Sequence, residues 1–195
     1  MPVLYHSPNS RSNSITALVR MLKADIDIRE VTITRQDGSG HPDPTNPHPE
    51  KKVPFLVDGD ETVRERGAII TYLTDAYPEA KLGPLPGEAR RGAYLSWLFY
   101  YQGVMEPILL LHWTGLTHPA IYATLRDYDT VIARLSEALA QGPFLLGDRF
   151  TAADMLCSSP FGWFKELAPD VEVIQSWVAR CNERIEALGG MEQAA

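Results

Sequence analysis

Between a first apolar segment, Val3-Leu4-Tyr5-His6, and a first run at helical spacing, Ile15, Leu18, Val19 and Leu22, lies Ser7-Pro8-Asn9-Ser10-Arg11-Ser12-Asn13-Ser14. Four hydroxyls and two side-chain amides therefore gather at a helix start, where backbone N–H groups lack intrahelical partners and the dipole is positive. Such side chains cap helices. A hydroxyl there also donates a hydrogen bond to any anion held at the same terminus. Four serines exceed what one cap needs, so the two uses are compatible. A dithiol mechanism is excluded, because the spacing that a Cys-x-x-Cys pair would occupy reads Ser7-Pro8-Asn9-Ser10. Cys157 and Cys181 are too few and too isolated for a disulfide framework, and with five scattered histidines they offer no metal-ligand spacing. They read as buried or incidental thiols, and no metal is expected.

A second stretch with chemical potential is Lys52-Val53-Pro54-Phe55-Leu56-Val57-Asp58-Gly59-Asp60-Glu61-Thr62-Val63-Arg64-Glu65-Arg66-Gly67-Ala68-Ile69. Phe55–Val57 and Thr62–Val63 are β-formers, and Asp58-Gly59-Asp60 supplies the positive-φ residue of a tight hairpin. Pro54 stands at the first residue of its strand, where a missing N–H does least harm. Ala68, Ile69, Tyr72, Leu73 and Ala76 then switch to helical spacing until Pro78. The hairpin thus feeds a second helix N-terminus, a second place for an anion.

The elements that must position these stretches follow from periodicity. Ile26–Ile33 alternates as a strand, and a helix separates it from Val3–His6, so the two form a parallel, right-handed βαβ unit. With the hairpin and its helix this makes a thioredoxin-like α/β domain over residues 1–78. Gln36–Pro49, with four prolines, is an irregular polar loop. Residues 79–87 form a linker containing Pro84 and Pro86. Residues 88–195 read as all-helical, with helices over 89–113, 119–140, 152–166 and 171–188. Thr151-Ala152-Ala153-Asp154 has the spacing of a capping box and is structural. The fold class is α/β plus all-α.

Composition narrows the function classes. A chain of 195 residues with 45% hydrophobic content can bury a sizeable core, and a net charge of −7 argues against a nucleic-acid binder. No apolar run is long enough to span a bilayer, and the first residues enter a strand pattern instead of a signal-peptide pattern. A cytoplasmic location is expected.

The order and spacing of these motifs resemble the glutathione S-transferase family. Its Val-Pro pair, with the proline in cis, matches Val53-Pro54, and its Glu-Ser-x-Ala-Ile signature matches Glu65-Arg66-Gly67-Ala68-Ile69, with Arg66 in place of the usual serine. The resemblance covers both halves of the chain. It implies a thioredoxin-like domain followed by a helical bundle, glutathione as co-substrate, and a homodimer. The implied activity is conjugation of the glutathione thiolate to small hydrophobic electrophiles. A non-catalytic binding or scaffold protein with the same fold is the alternative.

On that resemblance a hydroxyl of the first turn donates to the glutathione sulfur. Ser7-x-x-Ser10-Arg11 is similar to the family's Ser-x-x-Cys-Arg pattern, whereas Asn9-Ser10-Arg11-Ser12 is similar to a bacterial Asn-Ser-Arg-Ser turn. Ser10 is the first choice, followed by Ser12 and Ser7, with the Asn9 amide as a further donor and Tyr5 packed in the sheet. Val53, turned by Pro54, is implied to pair with the cysteinyl backbone of the ligand. Glu65 would accept the γ-glutamyl amine, and the amides of Arg66 and Gly67 would hold its carboxylate. Arg66 either adds a charged contact or is a solvated surface side chain. Lys52 or Lys51 would meet the glycyl carboxylate. Tyr101, Met105 and Glu106 on the first long helix of the bundle would face the electrophile, Glu106 standing where a cysteine-type relative carries an assisting histidine.

Overall fold

Short β-forming segments build a four-stranded sheet in the order β2-β1-β3-β4, with β1 at Val3–His6, β2 at Asp27–Glu30, β3 at Phe55–Asp58 and β4 at Glu61–Val63. Helix α1, Asn13–Leu22, separates β1 from β2, which run parallel. β3 is antiparallel to β1, with Tyr5 opposite Phe55, and β4 is antiparallel to β3, with Leu56 opposite Val63. The computed structural model describes residues 1–191. It divides into a first unit, Met1–Ala80 with residues 188–191, and a second, Lys81–Ala187. Residues 192–195, the end of the expected helical domain, lie outside the described residues.

In the first unit α1 packs against α2, Arg66–Ala76. Leu4 and Leu56 from the sheet, Ile15 and Leu18 from α1, and Ile69 and Leu73 from α2 are all buried. This is the apolar spacing of the two helices converted into one core. Gly59 turns the β3–β4 hairpin at φ 59°, the left-handed conformation that its type permits at no steric cost. β2 is shorter than its alternation suggests. Its register with β1 closes at His6 opposite Glu30, with one further bond from Val31 N–H to His6 O at 2.8 Å, so the strand stops where its partner turns away.

The second unit is helical: α3 Arg91–Tyr100, α4 Glu106–Thr114, α5 Pro119–Thr124, α6 Tyr128–Leu139, α7 Ala152–Trp163 and α8 Glu172–Ala187. Its buried side chains include Tyr94, Leu98, Leu135, Leu156 and Trp177. Two of the long helices anticipated from periodicity are divided. The segment 89–113 keeps its direction but passes through a π-helical turn at Tyr101–Met105. Pro107 follows at the start of α4 and lacks the N–H that would have continued the α-helical ladder. The segment 119–140 breaks between α5 and α6, where Arg126 takes φ 99° and Asp127 accepts the Thr130 N–H at 2.8 Å as a fresh N-cap.

Candidate functional site

The strand directions bring three segments to one end of the sheet. Because β3 runs against β1, the residues that follow His6 emerge beside those that precede Phe55. Because β4 runs against β3, the residues that follow Val63 emerge there as well. The serine turn, Val53-Pro54 and Glu65-Arg66-Gly67 therefore converge, all within the first unit. The Val53–Pro54 bond is cis, and Val53 lies outside the β1–β3 ladder, which ends at Phe55.

Helix α1 begins with Ser12 at its N-cap position, yet Ser12 makes no side-chain capping bond. Its hydroxyl is spent within the turn. Ser12 Oγ lies 2.7 Å from His6 Nδ1 and 2.7 Å from Ser10 Oγ, and accepts the Ser7 N–H at 3.1 Å. Ser10 Oγ donates to the Ser7 carbonyl at 2.7 Å and accepts the Ser12 N–H at 3.1 Å. Ser12 and Ser7 are buried, at 0% and 2% exposure, while Ser10 is partly exposed and Asn9 is exposed at φ 54°. Of the three hydroxyls proposed as donors, Ser10 is thus the one with surface to offer. Arg35, from the loop after β2, holds the turn from outside: its guanidinium donates to Pro8 O at 2.9 Å, Asn9 O at 3.2 Å and Ser7 Oγ at 3.3 Å.

The loop before Val53 has no helix, and two buried polar residues pin it. Asn46 donates to Lys52 O at 3.0 Å and accepts the His48 N–H at 3.0 Å. His48 Nδ1 accepts the Glu50 N–H at 2.9 Å, and its ring meets Phe55 edge-on at 5.0 Å. Burial pushes the His48 pKa down, which agrees with a neutral ring whose Nδ1 accepts. Lys51 donates its amine to Asn46 O at 2.6 Å, whereas Lys52 is exposed. Of the two lysines, Lys52 is the one turned to solvent.

Glu65 precedes α2 at φ 66°, ψ 126°, a conformation that residues with a Cβ adopt at a cost of ~1–3 kcal/mol. Its carbonyl accepts the Ile69 N–H at 3.0 Å, the first bond of the helix, so the amides of Arg66 and Gly67 lie in the first turn, ahead of the helix's own hydrogen-bond ladder. Arg66 is buried, at 5% exposure. It is therefore not the solvated surface arginine that its position in the sequence permits.

Tyr101, Met105 and Glu106 belong to the second unit. Tyr101 and Met105 are buried and Glu106 is partly exposed. The two buried residues pack in the core and present no surface. An open cleft of about 380 Å³ lies one turn further along α4, lined by Ile108, Leu111, Leu116, Ile121 and Tyr122, with His112 stacked on Tyr128 at 4.0 Å. Cys157 and Cys181 are both buried, and burial pushes the Cys181 thiol up. Among the described residues no cluster of three or more His, Cys, Asp or Glu side chains could hold a metal, and no helix is long and apolar enough to cross a membrane.

Sequence reading missed His6, Arg35, Asn46 and His48. His6 had a signal, a titratable side chain at the last position of a strand that ends in a hydroxyl-rich turn. The other three act across the loop after β2, where no periodicity marks them.

Comparison with known proteins bears on the family and the fold. Residues 4–81 match the family model for the glutathione S-transferase N-terminal domain, and residues 119–185 match that for the C-terminal domain. Human glutathione S-transferase theta-1 is 31% identical over 123 residues, which are 56% of this chain and 50% of that protein, so the chain spans half the length of that relative. A crystal structure of a glutathione transferase from Methylococcus capsulatus superposes with a TM-score of 0.74 at 26% identity, covering 98% of this chain and 100% of the other. The structure of a sphingomonad glutathione S-transferase complexed with glutathione gives a TM-score of 0.70 at 24% identity over 96% and 98%. With both domain models matched in order along a thioredoxin-like sheet and a helical bundle, the chain belongs to the glutathione S-transferase family.

Proposed function

We propose that the protein is a glutathione transferase that conjugates the thiolate of glutathione to small hydrophobic electrophiles. Residues 1–78 would bind glutathione, residues 79–87 link, and residues 88–195 form the helical domain. The observation that carries this reading is the convergence of the serine turn, Val53-Pro54 and the start of α2 at one end of the sheet. Ser10 donates to the sulfur, Val53 pairs with the cysteinyl backbone, and Lys52 meets the glycyl carboxylate. Glu65 accepts the γ-glutamyl amine while the Arg66 and Gly67 amides hold the neighbouring carboxylate.

This is enough chemistry for the reaction. A free thiol has a pKa of about 8.5, and lowering it two units takes ~2.7 kcal/mol. One charge-assisted hydrogen bond of ~1.5–3 kcal/mol with a helix-dipole contribution of ~0.3–1 kcal/mol supplies that. No general base is needed. Titrating the ultraviolet absorbance of bound glutathione thiolate against pH tests the assignment: Ser10→Ala should raise the thiol pKa by about one unit and cut turnover of an activated aryl halide at neutral pH up to about tenfold. An unmoved pKa removes Ser10 from the role. Glutathione that fails to bind in calorimetry removes the function.

A homodimer in the cytoplasm completes the proposal. Phe99, 71% exposed on α3, is a large apolar side chain available to a second copy. Sedimentation at micromolar protein should give a dimer mass, and a monomer mass refutes it.

A further inference from the structure

The hydroxyl chain at the start of α1 can be read by counting protons. Three contacts in it are equally short: His6 Nδ1 to Ser12 Oγ, Ser12 Oγ to Ser10 Oγ, and Ser10 Oγ to the Ser7 carbonyl, each 2.7 Å. Each needs one proton between its heavy atoms. The two hydroxyls supply two. Neither competing donor fills the gap, because the Ser7 N–H is directed at Ser12 Oγ and the Ser12 N–H at Ser10 Oγ, both at 3.1 Å. The third proton must therefore sit on His6 Nδ1. The chain then has one direction: His6 Nδ1–H donates to Ser12, Ser12 O–H to Ser10, and Ser10 O–H to the Ser7 carbonyl.

We propose that His6 is a positioning residue for Ser10, acting through the buried Ser12 hydroxyl so that the Ser10 proton is directed away from Ser12 and is available to the glutathione sulfur. This rests on the reading of Ser10 as the sulfur's donor. Were His6 Nδ1 an acceptor, Ser12 would turn its proton to the ring and Ser10 could spend its own on Ser12. With Nδ1 a donor, Ser12 Oγ already accepts from His6 and from Ser7 N–H, so Ser10 has only the Ser7 carbonyl or an arriving ligand as acceptor. A thiolate accepts that hydrogen bond after a rotation about one bond, with Ser12 O–H still donating to Ser10 Oγ across 2.7 Å. Hydrogen bonds that run in one direction polarise one another, so Ser10 donates more strongly at the end of this chain than alone. Ser12 then needs no capping role, which accounts for its position at the N-cap without a capping bond.

The test uses the full chain and four variants: His6→Leu, which lacks a donor, His6→Asn, whose amide can donate from the same place, Ser12→Ala and Ser10→Ala. Bound glutathione is titrated by thiolate absorbance, with melting temperature measured alongside. His6→Leu and Ser12→Ala should each raise the thiol pKa by roughly half a unit, about a threefold loss of thiolate relative to thiol, while glutathione affinity at low pH stays unchanged. His6→Asn should restore most of the shift. A drop in melting temperature with the thiol pKa unmoved in both overturns the proposal, and Ser12→Ala decides alone if His6→Leu does not fold. If His6 and Ser12 variants leave the pKa where it was while Ser10→Ala raises it, only this inference fails. If Ser10→Ala is also silent, the donor reading fails with it. Nitrogen NMR of the His6 ring in ligand-free protein tests the proton count independently: a proton on Nδ1 supports it and a bare Nδ1 overturns it.

Discussion

Two substitutions at Glu65 separate its backbone from its carboxylate. Its φ of 66° and ψ of 126° place a Cβ in a region costing ~1–3 kcal/mol. Alanine keeps that Cβ and glycine does not. At an ordinary position glycine is the less stable of the two by ~0.5–1 kcal/mol, because it loses more freedom on folding. At residue 65 the relief of ~1–3 kcal/mol outweighs that loss, so Glu65→Gly should be more stable than Glu65→Ala by up to ~2 kcal/mol. For a chain of this size that is a melting-temperature difference of about 4–8 °C. Any contact of the side chain with its surroundings is lost equally in both, so the difference isolates the backbone. Both variants also remove the proposed acceptor for the γ-glutamyl amine and should weaken glutathione binding alike, by ~1.5–3 kcal/mol, read by calorimetry. A glycine variant less stable than the alanine variant refutes the strain. Unchanged affinity in both folded variants takes Glu65 out of the site.

Two further outcomes concern the parts that hold the turn and the loop. Arg35→Ala removes donors from Pro8 O, Asn9 O and Ser7 Oγ and should raise the thiol pKa of bound glutathione while costing ~1–2 kcal/mol of stability, with Arg35→Lys intermediate because its ammonium cannot span three acceptors. Equal thiol pKa values in all three proteins would show that the clamp does not act on Ser10. For His48, the folded pKa is lowered by burial, so its contribution to stability is full above the unfolded value of about 6.5, declines below it, and is lost as pH falls through the lower folded value. Amide protection factors at His48 and Glu50, taken relative to intrinsic exchange at each pH, should fall, and glutathione affinity weaken, as pH drops from 7.5 toward 5.5. A His48→Gln variant with the same pH dependence would exclude this ring as the cause.

What was legible in the sequence was what local physics decides. Gly59 between β-formers, Pro54 at a strand start and the switch to helical spacing after Gly67 give β3, β4 and α2 nearly as observed. The breaks inside the helical unit were not legible from periodicity, since apolar residues keep their spacing through a π turn and across a short gap. They were partly legible as chemistry: Asp127 three residues before Thr130 is an N-cap signal, and Pro107 is a missing donor. The supports of the candidate site were hidden for a different reason. Arg35 acts on residues 26 to 28 positions away, and Asn46 and His48 are buried polar groups in a loop whose composition reads as solvated. No local pattern encodes the Arg35 contacts at that separation, and composition does not show which polar groups of the loop are buried.

Comparing the two hydroxyl-bearing helix starts shows why residue type and position alone could not assign the site. Thr151 and Ser12 both stand at an N-cap position. Thr151 donates from its hydroxyl and its amide to Asp154 Oδ2, each at 3.0 Å, while Leu145 N–H and Trp177 Nε1–H donate to Oδ1 at 2.8 and 3.1 Å. Burial pushes the Asp154 pKa up and these four donors oppose it. Every lone pair is committed inside the core, so the box can only hold structure. Ser12 is equally buried, but its hydroxyl hands its proton on to Ser10, which is partly exposed. A closed set of hydrogen bonds stabilises a helix start. A set that ends on a group reaching the surface can turn its last proton to a ligand, and at the serine turn that proton belongs to Ser10.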